Sequence, residues 1–133
     1  MAIQFSTTVR DARLDTIEST IGTGPTLEIR SGTVPANCAA ADGGTVLATL
    51  TLPSDWMAAA SGGAKAISGT WQDLSCDADG TATYFRIKQS STCHIQGTVT
   101  ATGGGGDMEV SSTSFTLGAS FTVNSFTLTD GNA

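Results

Sequence analysis

From Gly24 onward, apolar and polar residues alternate with a period of two along most of this chain. The stretches TLEIR (26–30), TVLATLTL (45–52) and ATYFRIK (82–88) each place a set of apolar side chains on one face. Successive side chains of a β-strand point to opposite faces, so the alternation predicts strands with one buried face. Threonine fills many of the polar positions, and its branched side chain suits a pleated, half-buried surface.

Turn-forming residues separate these stretches at short intervals, as in SGTVPAN (31–37), DGG (42–44), SGG (61–63) and DADG (77–80). Many short strands with such punctuation indicate an all-β fold. We predict an antiparallel two-sheet sandwich of the jelly-roll type. Its expected core consists of Leu50, Phe85, Ile87, Ile95, Val99, Phe121 and Val123.

Two places interrupt the strand pattern. Phe121 and Phe126 have opposite parity within one run, so we expect a β-bulge or bend near residues 124–125. In PSDWMAAASGG (53–63), Ser54 or the following aspartate can cap a turn or two of helix through the alanines.

The first 22 residues follow a helical pattern. Leu14, Ile17 and Ile21 fall on one face, three acidic residues cluster on the opposite face, and Gly22 is a natural stop. We therefore predict one N-terminal amphipathic helix. This divides the chain into an N-terminal helical segment, residues 1–22, and a β-sandwich domain, residues 23–133.

The charge balance argues against several classes of partner. Six basic and twelve acidic residues give a formal net charge of −6, and the basic residues form no run. Nucleic-acid affinity depends largely on Lys and Arg, so we expect neither nucleic acid nor an anionic membrane as a partner. No apolar run is long enough to span a bilayer, and the first residues do not resemble a signal peptide. We expect synthesis in a cytoplasm.

Residues capable of catalysis or metal binding are few. His94 is the single histidine and has the parity of the polar face, so we expect it to be exposed. No motif spacing indicates a catalytic site, a metal or a cofactor, and we predict none. Cys38, Cys76 and Cys93 are odd in number and widely spaced, which is typical of free thiols; a Cys76–Cys93 bridge remains an alternative.

Four consecutive glycines occupy Gly103–Gly106. A phosphate-binding loop needs a following Lys and Ser or Thr at the start of a helix, whereas Asp107 and strand-like sequence follow here. An anion nest of backbone amides is disfavoured by the adjacent carboxylate. We interpret the run as a joint that only has to bend, and expect it to accept serine.

Candidate partner-binding residues lie where apolar or amphipathic sequence interrupts the neutral strands. Interfaces concentrate their energy in a few aromatic, Met or Arg anchors. The available anchors of this kind outside the strands are Arg10, Leu14, Ile17, Trp56 and Met57.

Three segments of the chain resemble small virion proteins of tailed bacteriophages and prophages. They are MAIQFSTTVRDARLDTIESTIG (1–22), LPSDWMAAASGGAKAISGTWQ (52–72) and FTVNSFTLTDGNA (121–133). The nearest functional class is the capsid cement, or decoration, proteins, such as those of Bordetella tailed phages. The resemblance implies a jelly roll on the capsid exterior, with the major capsid protein as partner and self-association as a homodimer rather than a trimer. It carries over no catalytic residue.

Three functions follow as expectations. The first is a non-enzymatic cement protein that binds and stabilises the assembled shell. The second is a neck, tail or fibre component, with a carbohydrate-binding adhesion module as one form of it. Such a module needs an exposed groove lined by aromatic side chains. The third is a small hydrolase, which needs His94 beside a carboxylate and a nucleophile in a pocket.

Overall fold

The structure is a computed structural model that describes residues 3–132. Within that range the chain forms one helix, α1 (Thr7–Ile21), followed by short strands. The strands are β1 (Thr26–Arg30), β2 (Val46–Thr51), β3 (Ala64–Ala66), β4 (Trp71–Asp73), β5 (Gly80–Thr81), β6 (Tyr84–Gln89), β7 (Thr92–Ala101), β8 (Met108–Val110), β9 (Ser114–Phe115), β10 (Phe121–Val123) and β11 (Thr127–Thr129). The prediction of a mostly β chain with one N-terminal helix is confirmed.

The central element is a five-stranded sheet in the order β2-β1-β6-β7-β8. The strands from β2 to β7 pair antiparallel, with Leu27 opposite Leu50 on one side of β1 and opposite Ile87 on the other. Three strand pairs, β10–β4, β11–β3 and β5–β9, complete the β-structure of the described residues.

One strand pair departs from the predicted antiparallel arrangement. β7 and β8 run parallel, with Val99 paired to Met108 and Ala101 paired to Val110. A parallel pair ordinarily needs a crossover of a dozen or more residues. Here residues 102–107, which contain the glycine run, make the whole connection, and within it the Gly104 amide donates to the Ala101 carbonyl at 2.9 Å.

The core lies on one face of the central sheet and matches the predicted set. Phe85, Ile87 and Leu50 are almost completely buried, and the same holds for Val99, Phe121 and Val123. Ile95 is half-buried and packs against this cluster. The aromatic rings continue the packing across the small sheets, since Trp71 of β4 lies 6.1 Å from Trp56 and 6.0 Å from Phe126 between ring centroids.

The two interruptions have different structures from each other. The parity change near residues 124–125 separates β10 from β11, which pair with different partners, so it marks a bend. Residues 53–60 contain no helix, contrary to expectation. Met57 instead forms a bridge with Ile67, and the Ala58 amide donates to the Ala66 carbonyl at 2.8 Å. Tertiary pairing therefore overrides the helical propensity of the alanines.

Helix α1 begins and ends as its sequence predicts. The Ser6 side chain accepts a hydrogen bond from the Val9 amide at 3.2 Å, and Gly22 ends the helix with a φ of 97°. Among the described residues, no helix has the length and apolar character needed to cross a bilayer.

Candidate partner-binding surface

Three of the five candidate anchors are buried inside the chain's own fold. Leu14 is 3% exposed, Met57 1% and Trp56 0%. These three side chains have almost no surface to offer a partner in this conformation, and the choice of them as exposed anchors therefore needs correction. The sequence pattern shows only that these residues lie outside the predicted strands. Helix α1 lies flat on the β-structure and buries Leu14, and Trp56 and Met57 pack into the core cluster. Ile17 is half-buried against the core.

Trp56 joins the end of the helix to the interior. Its indole Nε1 donates to the carbonyl of Gly22 at 2.9 Å, and the Trp71 indole donates to the carbonyl of Trp56 at 3.1 Å. Both indole N–H groups are thus satisfied, as buried tryptophans require. Trp56 acts as a structural link between α1 and β4.

The acidic side of the helix also faces the domain. Asp15 and Glu18 form ion pairs with Lys65 of β3 at 2.7 and 2.8 Å. Asp15 also accepts from the Ala60 amide at 2.9 Å, and Asp11 accepts from the Gly63 amide at 2.7 Å. The helix carboxylates that lie opposite the apolar stripe therefore attach the 57–65 segment to the helix through ion pairs and hydrogen bonds.

These contacts shift the pKa values of the pair. The hydrogen bond from Lys65, followed by that from the Ala60 amide, lowers the pKa of Asp15. Burial alone would lower the pKa of Lys65, but its hydrogen bonds to Asp15 and Glu18 outweigh burial and raise it. Each partner therefore stabilises the charged form of the other.

Arg10 ties the helix to the C-terminal segment. Its Nη1 donates to the Asp130 carbonyl at 3.3 Å and its Nη2 donates to Thr7 Oγ1 at 3.2 Å. Its Nε is buried without a hydrogen-bond partner among the described residues. Arg13 adds an ion pair to the Asp130 carboxylate at 3.1 Å. Arg10 therefore holds the N- and C-terminal segments together in the monomer, and a role in partner binding stays a prediction.

A cleft of about 640 Å³ lies between the helix and the 54–59 segment. Asp15, Glu18, Asp55 and Lys65 are among its lining residues. The single ammonium is already paired with two of the carboxylates, so these four groups include no free cation.

The opposite face of the central sheet carries a buried ionic cluster that the sequence did not reveal. We define the cluster as Glu28 and Arg30 of β1, Arg86 and Lys88 of β6, and Asp42 of the 31–45 loop. Arg86 is 2% exposed, and its Nη1 lies 2.7 Å from Asp42 Oδ1. Lys88 contacts both Asp42 and Glu28, and Arg30 Nη2 lies 2.8 Å from Glu28.

The 31–45 loop covers this cluster. Tyr84 Oη donates to the Gly43 carbonyl at 2.6 Å, and the Gln96 side chain donates to the Pro35 carbonyl at 2.8 Å. The alternation in β6 had indicated a polar, solvent-facing side. That side is buried because the loop supplies the Asp42 carboxylate to all three cations and carbonyl groups to the two arginines. The turn residues at 31–37 and 42–44 indicated a loop, but they did not indicate which surface the loop would cover.

The glycine run forms a structured loop around a carboxylate. The amides of Gly103 and Gly105 donate to Glu109 at 2.9 and 3.2 Å, so a nest of amides exists and the chain's own side chain fills it. A Cβ at Gly104 would lie 2.7 Å from Thr100 Oγ1. The expectation of a joint that only bends is therefore wrong, because the loop has a fixed shape with no room for some side chains.

Large apolar side chains remain exposed at two places. Leu74 is 71% and Leu117 is 63% exposed. Their two segments are joined close to these residues by the hydrogen bonds Cys76 N–Ala119 O and Gly118 N–Cys76 O. At the other place, Ile3 is 77% and Val9 is 43% exposed. We call these the Leu74/Leu117 site and the Ile3/Val9 site.

The residues with potential for catalysis are dispersed. His94 is exposed, as predicted, at a cleft of about 270 Å³ that also borders Ile17 and Ile21 of the helix. Within residues 3–132, no group of three or more His, Cys, Asp or Glu side chains is placed to hold a metal ion.

Comparisons with protein-family models, curated proteins and solved structures give no match to this chain.

Proposed function

We propose that this chain is a capsid cement protein of a tailed bacteriophage, which binds the assembled shell of major capsid protein and stabilises it without catalysing a reaction. The resemblance of its three segments to small virion proteins suggests this function. The structural observation that supports it most is the burial of most aromatic side chains together with four of the six basic side chains, which ties the helix and the 31–45 loop to the β-structure and makes a firmly held module.

Rigidity follows from how the long segments are held. Lys65 fixes the helix, and Arg86 fixes the 31–45 loop, each through several bonds from a nearly inaccessible side chain. A module that does not deform transmits load between the subunits it bridges. Each contact can be weak, because many copies on one shell multiply the total affinity.

The proposal includes a finer fold, a jelly-roll sandwich. Phe115 of β9, Phe121 of β10 and Trp71 of β4 belong to the same core cluster as the central sheet. The small strand pairs therefore pack over that sheet's apolar face, and this arrangement favours a second layer opposite the first.

The contact with the shell is proposed to use the Leu74/Leu117 site. These are the two most exposed large apolar side chains outside the N-terminal segment. The Leu117 amide donates to the Asp79 carboxylate at 2.7 Å, and Asp73 directly precedes Leu74, so this contact would have an apolar centre with carboxylates at its rim. The Ile3/Val9 site beside the helix is then available for a homodimer contact. The proposed location is the capsid exterior, after synthesis in the host cytoplasm.

The experiment is to count copies in purified particles of the phage or induced prophage whose genome encodes this chain. Quantitative mass spectrometry against the major capsid protein should give copies on the order of hundreds, as a symmetric shell requires. A count of roughly six or twelve, typical of a ring, would overturn the proposal in favour of a neck or tail component.

A second measurement tests the site on the same particles. Particles made without the chain are mixed with purified protein, and binding is measured by co-sedimentation. Leu74→Ser with Leu117→Ser should reduce binding at least tenfold, whereas the matched pair Thr16→Ser with Thr20→Ser on the outer helix face should not. Equal binding by both double variants would contradict the assigned contact.

A further inference from the structure

The 31–45 loop is held over strands β6 and β7 at points on both sides of Cys38. Arg86 Nη2 donates to the Asn37 carbonyl and Arg86 Nη1 donates to the Ala40 carbonyl, each at 3.0 Å. Asn37 Oδ1 also accepts from the amides of Ala39 and Ala40 at 2.9 and 3.0 Å. The backbone around Cys38 is therefore fixed against the sheet.

Cys93 lies on the sheet face that this loop covers. In the β6–β7 register Cys93 is opposite Lys88, and Arg86 is opposite Gln96. Directly opposed residues of an antiparallel pair project to the same face, and Lys88 reaches the loop residue Asp42 on that face. Cys93 therefore projects toward the underside of the loop.

The loop places Cys38 next to this part of β7, close enough for its side chain to raise the pKa of the Cys93 thiol. Cys93 Sγ itself donates to the Ile95 carbonyl at 3.6 Å. Both cysteines are partly exposed, so a small reagent can reach them. Cys76, by contrast, is buried within the segment that pairs with residues 118–119.

We propose that Cys38 and Cys93 are a redox pair that forms an intramolecular disulfide in an oxidising environment and so fastens the 31–45 loop to β7. Cys76 remains a thiol. The Cys76–Cys93 bridge considered from sequence is replaced by this pairing, because the loop brings Cys38 to Cys93.

The reaction balances with a low-molecular-weight disulfide such as oxidised glutathione as oxidant. The Cys38 thiolate attacks one sulfur of that disulfide, forms a mixed disulfide and releases one glutathione thiolate, which takes up a proton. The Cys93 thiolate then attacks Cys38 Sγ, forms the Cys38–Cys93 bond and releases the second glutathione. Two protein thiols lose two electrons, and one glutathione disulfide gains them.

The order of attack follows from the surroundings of Cys93. Burial and the Cys38 contact raise the pKa of Cys93 to about 12, against the opposing influence of Arg86 and Lys88. A thiol that is seldom ionised is a slow nucleophile. The second step should therefore limit the rate, and closure should become faster as the pH rises from about 7 to 9.

The test incubates the full chain with oxidised glutathione at about pH 8 and digests it without reduction. The expected product is a monomer lighter by two hydrogens, with a cross-linked peptide pair containing Cys38 and Cys93. Closure removes freedom from a long segment of the unfolded chain, so Tm should rise by roughly 5–10 °C and return on reduction.

Matched variants decide the pairing. Cys76→Ser should still close, whereas Cys93→Ser should stop at a mixed disulfide on Cys38 and Cys38→Ser should form no intramolecular bridge. Thermal unfolding in reducing buffer confirms that all three variants are folded. A bridge that contains Cys76, disulfide-linked dimers as the main product, or unmodified thiols after the parent chain has been treated would each overturn the proposal.

Discussion

Lys65 Nζ lies 2.7 Å from Asp15 Oδ1, and this ion pair joins strand β3 to helix α1. The same ammonium lies 2.8 Å from Glu18 Oε2 and donates to the Ala58 carbonyl at 2.9 Å. The Lys65 side chain is 1% exposed, and so deep a charge is tolerated only where partners surround it. The helix is therefore held to the β-structure by paired charges as well as by apolar packing.

Lys65→Met tests this attachment, since it keeps a long side chain and removes the charge. The two carboxylates lose their cation but can regain water, so we expect a loss of about 1–3 kcal/mol in the free energy of unfolding. Urea unfolding measures this loss. The control is Asp55→Asn at an exposed position of the same cleft, which should change stability by less than about 0.5 kcal/mol. An unchanged midpoint for Lys65→Met would contradict the attachment.

Stability should depend on pH at both ends of the range. Asp15 and Asp42 each have a pKa below the ordinary 3.8, chiefly because of hydrogen bonds from Lys65 and Lys88 respectively. Their stabilising contribution is complete above the unfolded pKa and is lost as the pH falls through the folded pKa. Burial opposes the charge of both lysines, but their hydrogen bonds raise each pKa above 10.5. That contribution is complete below 10.5 and is lost as the pH rises through the folded value.

Tm should therefore be nearly constant between about pH 5 and 9.5 and should fall on either side. Asp42→Asn should make the acid side less steep, because it removes one carboxylate whose folded pKa is depressed. The measurement is thermal unfolding from about pH 2 to 11. A parent Tm that stays level down to the acid limit would show that these ion pairs do not contribute.

Leu14→Ala distinguishes a helix packed on its own domain from a helix that binds a partner. Leu14 is 3% exposed, so truncation should cost about 2–5 kcal/mol in the monomer. Val9→Ala on the same helix removes a 43% exposed side chain and serves as the matched control, with little expected change. Melting is measured at a concentration where the protein is monomeric. Loss of self-association with an unchanged monomer Tm would instead make Leu14 an interface residue.

Gly104→Ala tests whether the glycine loop has a fixed shape. The added Cβ would lie 2.7 Å from Thr100 Cβ and 3.0 Å from the Ala101 carbonyl, so we expect a loss of roughly 1–3 kcal/mol. Gly131→Ala is the control, since a Cβ there meets nothing within 4 Å. Chemical unfolding compares the two variants. Equal stability would restore the view of a loop that only bends.

Arg86→Lys tests the attachment of the 31–45 loop. Lysine keeps the charge but cannot reproduce the bonds of the guanidinium to Asn37, Ala40 and Gln96. We expect a loss of about 2–4 kcal/mol and faster amide exchange within the loop. Arg13→Lys, at a side chain that is 52% exposed, should leave exchange there unchanged. Slow exchange in Arg86→Lys would mean that other contacts hold the loop.

The local pattern of residues determined much of this structure. The period of two identified the strands of the central sheet and their apolar face, and Ser6 and Gly22 marked the ends of the helix. These features can be predicted from sequence because they depend on the backbone within a few residues. This holds for strand and helix periodicity, for capping and for the conformation of glycine. The five candidate anchors came from the same local reasoning, which cannot tell whether an apolar side chain outside a strand faces solvent.

Only the tertiary structure decided which segments meet. Arg86 has the parity of a solvent-facing residue, and it is buried because a loop some 45 residues earlier in the chain folds over it. From its sequence position Trp56 is a candidate surface anchor, but in the structure its indole is buried and donates to the Gly22 carbonyl at the end of the helix. In the connection between the parallel strands β7 and β8, the amides of Gly103 and Gly105 donate to the Glu109 carboxylate, a contact that the local sequence pattern did not indicate. The sequence by itself determines the periodicity of each helix and strand. Which segment packs against each face is decided by the tertiary structure, because the free energies of burial and hydrogen bonding arise between residues that are distant in sequence.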